Sequence, residues 1–119
     1  MEKKGTAAKG KVRAAAKAGS WYEADPVKLN AELKSYLDAA KPAEGLEGGI
    51  LKALVGPHAG FTYSGPTAAW AYKNIVPANY DRVVLLGPSH SLGFQAIGLT
   101  ACHEWATPFG NLAVDQETT

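Results

Sequence analysis

The chain has a single cysteine, Cys102. That excludes an intramolecular disulfide framework and any Cys-x-x-Cys zinc knuckle, and it makes a reducing compartment the default. No apolar run approaches the roughly 18 residues of a membrane span, and residues 1–17 lack the apolar centre of a secretory signal. Basic charge is scarce beyond the first residues. Lys3, Lys4, Lys9, Lys11, Arg13 and Lys17 are six of the twelve basic residues, and residues 18–119 carry six Lys or Arg against ten Asp or Glu. A nucleic-acid footprint on the folded part is therefore not expected. What remains is an ordinary globular balance, with 119 residues, 46% hydrophobic and 19% charged, so disorder throughout is excluded and about one domain is expected. The expected location is the cytoplasm.

Residues 1–11 are rich in Ala, Lys and Gly without apolar periodicity and read as a basic, disordered tail; the absence of Ser from residues 1–17 and their single Arg, Arg13, argue against a transit peptide. Beyond it, Asp25-Pro26 is an N-cap followed by an N1 proline. Leu29, Leu33, Tyr36 and Leu37 then recur at the spacing of one buried helical stripe, until Lys41-Pro42 stops a helix over 26–40. Residues 50–55 and 82–86 are short apolar runs closed by Gly56-Pro57 and Gly87-Pro88, the pattern of buried strands. Between them Gly65-Pro66 is expected to begin a helix that runs to about Ile75. Strand, helix and strand at this spacing predict an α/β fold whose parallel-containing sheet holds a right-handed βαβ unit. Residues 96–101 and 112–114 are weaker strand candidates. Asp115-Gln116-Glu117 has the composition of a helix start close to Thr119, so the chain reads as cut short within a larger α/β domain.

In a parallel α/β sheet ligands bind at the carboxyl ends of the strands, and His58 and His90 each follow such an end. Two imidazoles placed alike after neighbouring strands could point into one crevice, and imidazole suits iron, zinc or copper. A third ligand would be needed, and non-haem iron oxygenases commonly use two His and one carboxylate. The bland alternative is that each ring bonds a backbone carbonyl. His103 lies in the run Cys102-His103-Glu104 and is expected to be exposed; Cys102 is expected to be a small packed residue. The loop 59–65 leads into the second helix, whose free N–H groups favour a carboxylate or phosphate. Gly60 and Gly65 would leave room for its close approach, and Tyr63 and Ser64 add hydroxyls that could otherwise serve turn packing and capping. A serine-hydrolase reading of Gly87-Pro88-Ser89-His90 fails, because the Gly-x-Ser-x-Gly elbow is absent and adjacent side chains on extended backbone point apart.

Four ordered motifs carry a resemblance. They are Arg13-Ala14-x-x-x-Ala18-Gly19-Ser20-Trp21-Tyr22, Pro57-His58-Ala59-Gly60-Phe61-x-Tyr63-Ser64-Gly65, Leu86-Gly87-Pro88-Ser89-His90 and Thr107-Pro108-Phe109-Gly110-x-Leu112-x-Val114-Asp115. In this order they resemble the Memo family, whose prokaryotic members are called AmmeMemoRadiSam system protein B. The resemblance implies a fold similar to the class III, LigB-like extradiol dioxygenases over 12–119. It also implies a metal pocket, holding iron or copper, in which His58 and His90 correspond to the family's first two histidines. The family's remaining pocket residues, an Asp, a His and a Cys, come from a later half, so the chain resembles the N-terminal part of a member and is expected to be inactive alone. Lys17 stands where many members have His, and Phe109 where Leu is usual. Two functions follow from the resemblance: a redox-related or dioxygenase-like metal enzyme, or a non-catalytic protein that binds a peptide or partner. The ligands implied are a peptide or a small carboxylate or phosphate, and the partners implied for a prokaryotic member are AMMECR1-like and radical-SAM proteins.

Overall fold

Asp25 and Pro26 start the first helix in the manner the sequence dictates. Asp25 stays extended at φ −73° and ψ 121°, and its carboxylate accepts a hydrogen bond from the Lys28 N–H at 2.9 Å. This computed structural model describes residues 10–46 and 48–118, so the expected tail over 1–11 lies outside the described residues except for Gly10 and Lys11. The chain divides into two units, residues 17–93 and residues 1–16 with 94–119.

In the unit of residues 17–93, helix α1 spans Pro26–Ala39. Its N-cap bond satisfies one of the donors that a helix start leaves open. Ala40 turns extended, at φ −84° and ψ 147°, two residues ahead of Pro42, which ends the helix where the sequence places its stop. Leu29 is buried and Leu33, Tyr36 and Leu37 are half-buried, so the anticipated stripe is the packed face. Burying one leucine of this kind contributes roughly 1.5–3 kcal/mol. The partner is α2, Phe61–Tyr72.

Helix α2 begins earlier than the glycine and proline suggest. Gly60 is its N-cap, and Pro66 lies inside it rather than at its first position. The early start is held from outside: the Phe61 N–H donates to the Trp21 carbonyl at 2.8 Å, and the Tyr22 and Phe61 rings lie 5.3 Å apart. Pro66 has no N–H to give the Thr62 carbonyl, so the helix carries one missing bond there. Gly65 is buried where the helices cross, and a Cβ on it would come within 2.7 Å of Tyr36 Cδ2. The regular helix ends at Tyr72, short of Ile75, although the Ile75 N–H still donates to the Tyr72 carbonyl at 3.0 Å; a 3₁₀ turn follows at Pro77–Asn79.

The expected strands over 50–55 and 82–86 do not form, and with them the βαβ unit is corrected. Neither run belongs to a strand among the described residues. Parallel strands that read as continuous apolar runs depend on cover over both faces. Here Val83, Val84, Leu85 and Leu86 are all exposed, so that cover is missing. Residues 96–101 likewise form no strand. Among the described residues only Leu29, Ala40 and Ala69 are buried hydrophobics, all from the helix pair and its cap.

In the unit of residues 1–16 and 94–119 a three-stranded mixed sheet has the order β1-β2-β3, with β1 Val12–Arg13, β2 Glu104–Thr107 and β3 Gly110–Ala113. The parallel pairing of this α/β chain is here, with Val12 opposite Glu104 and Arg13 opposite Trp105. The Arg13 guanidinium lies 4.2 Å from the Trp105 ring centroid. Strands β2 and β3 form an antiparallel hairpin across Pro108-Phe109. Gly110 closes it at φ +114°, a conformation that disfavours any side chain, and Thr107 Oγ1 donates to the Gly110 carbonyl at 2.7 Å. This turn is the physical content of Thr107-Pro108-Phe109-Gly110. After β3, Asp115 Oδ1 accepts from the N–H groups of Glu117 at 3.1 Å and Thr118 at 3.2 Å, the bonding of a helix N-cap. No helix among the described residues is long and apolar enough to cross a membrane.

Candidate functional site

His58 and His90 are 32 residues apart in sequence and meet in space, both within the unit of residues 17–93. Their Nε2 atoms lie 3.2 Å apart, and the ring centroids are separated by 5.3 Å with the planes inclined at 37°. The backbone beside each ring is bonded within its own loop. Next to His58, the Ala59 carbonyl accepts from Ser64 Oγ at 2.8 Å. Around His90, Ser89 Oγ donates to the Leu92 carbonyl at 2.6 Å. The expected crevice is not formed: both imidazoles are exposed, because the runs leading to them lack neighbouring strands that would build walls.

An Nε2–Nε2 separation of this size has two chemical meanings. With one nitrogen protonated it is the length of an N–H···N hydrogen bond; with both lone pairs free it is the bite of two ligands on one ion. Two nitrogens at a bond length of about 2.0–2.1 Å lie about 2.8–3.4 Å apart for angles between square and tetrahedral. Among the described residues no group of three His, Cys, Asp or Glu gathers into a metal site.

The other anticipated site residues separate into packed and open ones. Ser64 is buried, with its hydroxyl between the Ala59 and Gly60 carbonyls, and Gly65 faces the Tyr36 ring. At Gly60 a Cβ would lie 3.2 Å from the Trp21 carbonyl oxygen. The room expected at Gly60 and Gly65 is thus taken by Trp21 and Tyr36. Tyr63 is exposed. The expected concentration of free N–H donors is also reduced, since Phe61 N–H donates to Trp21 O and those of Tyr63 and Ser64 to Gly60 O.

His103 is exposed, as expected, and does structural work at the edge of the sheet. Its Nδ1 accepts from the Lys11 N–H at 3.2 Å, and its own N–H donates to the Lys11 carbonyl at 2.8 Å. Cys102 is half-buried, with its carbonyl accepting from Gln116 Nε2 at 3.0 Å.

A cavity of about 160 Å³ that no sequence motif announces is lined by Trp21, Tyr22, Glu23, Glu32 and Thr62 together with Gly19 and Ser20. The imidazole pair is not among its lining residues. Gly19, at φ +80°, folds Ser20 and Trp21 back so that their N–H groups donate to the Lys17 carbonyl, and Lys17 Nζ lies 4.6 Å from the Trp21 ring centroid. Glu32 also accepts from the Tyr36 hydroxyl at 2.9 Å, which pushes the Tyr36 phenol above its ordinary value of 10.0. The pairing of two aromatics with a tight turn in Gly19-Ser20-Trp21-Tyr22 was the available signal.

A family model described as Memo-like protein matches residues 13–119. The chain belongs to the Memo family. It is 42% identical over 105 residues to Protein memo-1 homolog of Caenorhabditis elegans, covering 88% of this chain and 29% of that protein. It is 40% identical to Protein MEMO1 of Danio rerio and 37% identical to Protein MEMO1 of Homo sapiens, each over 88% of this chain and 34% of the relative. The chain therefore spans about a third of the length of these Memo relatives.

Proposed function

We propose that this chain is a Memo-like metal-pocket protein in which His58 and His90 hold iron or copper for redox-related or dioxygenase-like chemistry. The observation that carries the reading is the 3.2 Å between the two Nε2 atoms, which fits two ligands of one ion. The donor set also fits: imidazole serves both metals, and each exposed ring can present its Nε2 lone pair while Nδ1 keeps the proton. Iron or copper bound there would supply Lewis acidity and one-electron chemistry. The chain's part is to fix two neutral donors on one side and leave the other positions open to water and to a peptide or small carboxylate or phosphate. No third ligand gathers beside the pair among the described residues, so weak binding is expected of these two donors, and turnover is expected only where further ligands complete the site.

The test is titration of the full chain with Fe(II) under anaerobic conditions and with Cu(II), followed by calorimetry and spectroscopy. The expected result is weak binding of one ion per chain, reduced at least about tenfold, or roughly 1.4 kcal/mol, in both His58→Ala and His90→Ala. Binding that persists in both variants, or none in the parent chain, overturns the reading.

A second reading is favoured by the openness of the pair and by its two-donor set. In it the same surface recognises a peptide or partner without catalysis, in a cytoplasmic signalling role or as an AmmeMemoRadiSam component beside AMMECR1-like and radical-SAM proteins. Catechol turnover by a metal-loaded, full-length relative whose activity depends on the histidines matching His58 and His90 would decide for the enzyme. Under either reading the complete fold would be LigB-like, with these histidines at the edge of its sheet.

A further inference from the structure

His103 grips the segment that enters β1 twice. Its backbone N–H donates to the Lys11 carbonyl at 2.8 Å and its ring Nδ1 accepts from the Lys11 N–H at 3.2 Å, so one residue satisfies both backbone groups of the other. The Lys11 N–H can act only as a donor, so this bond requires Nδ1 to be unprotonated, with the proton of the neutral ring on Nε2. The ring lies directly against Gly10, where a Cβ would come within 2.6 Å of His103 Cγ and 2.9 Å of Nδ1. Strand β1 has little else to hold it. Its ladder is two residues long and lies at the edge of the sheet, with Val12 opposite Glu104 and Arg13 opposite Trp105, so the His103 grip is a large share of its attachment.

We infer that His103 is a pH-sensitive clasp on β1: the neutral imidazole holds residues 10–13 against β2, and the imidazolium releases them. Protonation turns Nδ1 into a donor that faces the Lys11 N–H, so a hydrogen bond is replaced by two opposed donors. The ring is exposed and exchanges protons with solvent, and imidazole is the side chain whose charge changes between pH 5 and 8. The titratable and charged groups around it come from three segments. Lys11 and Arg13 lie on the entering segment, Cys102 and Glu104 flank His103 in its own, and Asp115 and Glu117 follow β3, which is tied to His103 through the Val114 N–H. The two carboxylates nearest in sequence have backbone or amide partners: Glu104 accepts from Asn111 Nδ2 at 2.8 Å, and Asp115 accepts from the Glu117 and Thr118 N–H groups. Lys11 and Arg13 bring positive charge to this edge, so a positive ring adds like charge where the bond is lost. Release bares the side of β2 that β1 covers and withdraws the Arg13 guanidinium from the Trp105 ring.

The test is amide exchange on the full 119-residue chain on either side of the imidazole range, at about pH 8 and about pH 5, with rates corrected for the intrinsic effect of pH. The Lys11 and His103 amides should lose at least about tenfold in protection at the lower pH, while the amides shared by β2 and β3 keep theirs. Two variants separate the proton from the packing. His103→Asn places an acceptor that does not titrate near the position of Nδ1 and should keep the Lys11 amide protected at both pH values; His103→Phe keeps a ring without an acceptor and should leave it unprotected at both. Protection of Lys11 that is the same at both pH values in the parent chain would overturn the proposal. So would a pH step of the parent's size that survives in His103→Asn or in His103→Phe, because the titrating group would then lie elsewhere.

Discussion

The β2–β3 hairpin and the run over 83–86 invert what their compositions suggest. Glu104-Trp105-Ala106-Thr107 and Gly110-Asn111-Leu112-Ala113 include poor strand formers and yet pair residue for residue. Val83-Val84-Leu85-Leu86 consists of apolar residues with two valines and joins no strand. The difference lies in where the partner comes from. The hairpin partner is two residues away across a turn, so closure costs little entropy, and Gly110 supplies the required conformation. A parallel strand must find its neighbour far along the chain and then be covered on both faces. Strand propensity therefore marks a segment that fits a sheet, and a partner turns it into a strand.

The largest effect is expected at the helix pair. If residues 50–55 and 82–86 contribute no ladder, the packing of α1 on α2 carries most of the order in the unit of residues 17–93. Gly65→Val places a branched side chain against the Tyr36 ring, where even a Cβ lies 2.7 Å from Cδ2. Overpacking of this kind costs roughly 1–3 kcal/mol, and it should remove the cooperative loss of helical circular dichroism on heating. An unchanged thermal transition would mean that the helices do not cross as closely as described.

The matching test on the other unit is Gly110→Ala. A non-glycine residue at φ +114° costs of order 1–3 kcal/mol, and the effect should stay within the sheet. Amide exchange of 104–113 should accelerate while the helical signal is untouched. Loss of helix in this variant would show that the strain at Gly110 is not confined to the hairpin.

Pro66→Ala sharpens the question of where α2 starts. With Phe61 as its first residue, the variant restores an N–H for the Thr62 carbonyl and should raise helix stability by up to about 3 kcal/mol. If Pro66 were the first residue, as the sequence alone suggests, the same change would remove a favourable N1 proline and slightly lower helicity. Circular dichroism with thermal melting distinguishes the signs.

That contrast shows how far the sequence could be read. Helix α1 was legible because cap, N1 proline, stripe and stop all agree and are local. The start of α2 was not, since it depends on the Trp21 carbonyl and the Tyr22 ring, some forty residues upstream. The approach of His58 to His90 was legible from two histidines placed alike after Gly-Pro turns. Their exposure was not, because a crevice needs walls that no short-range pattern reveals. From sequence alone Gly60 and Gly65 suggest room for a ligand, and in the structure Trp21 and Tyr36 occupy that room. Pattern alone marks a glycine as small without saying what fills the space.

The smallest effect concerns the exposed end of α1, where Lys34 Nζ pairs with Asp38 one turn later. The hydrogen bond from Lys34 holds the Asp38 carboxyl below the usual carboxylate range. A group whose folded value is depressed adds stability above its unfolded value, about 3.9 for Asp. That contribution disappears as pH falls through the folded value, because the protonated carboxyl no longer prefers the folded state. The side chains are 68% and 60% exposed, so solvent and salt screen the pair. Asp38→Asn should lower the thermal midpoint slightly at neutral pH and low salt, and not at all once pH is below the folded value. The gap between parent and variant should also close in molar salt. A gap of constant size across pH and salt would assign the effect to helix propensity at position 38 rather than to the ion pair.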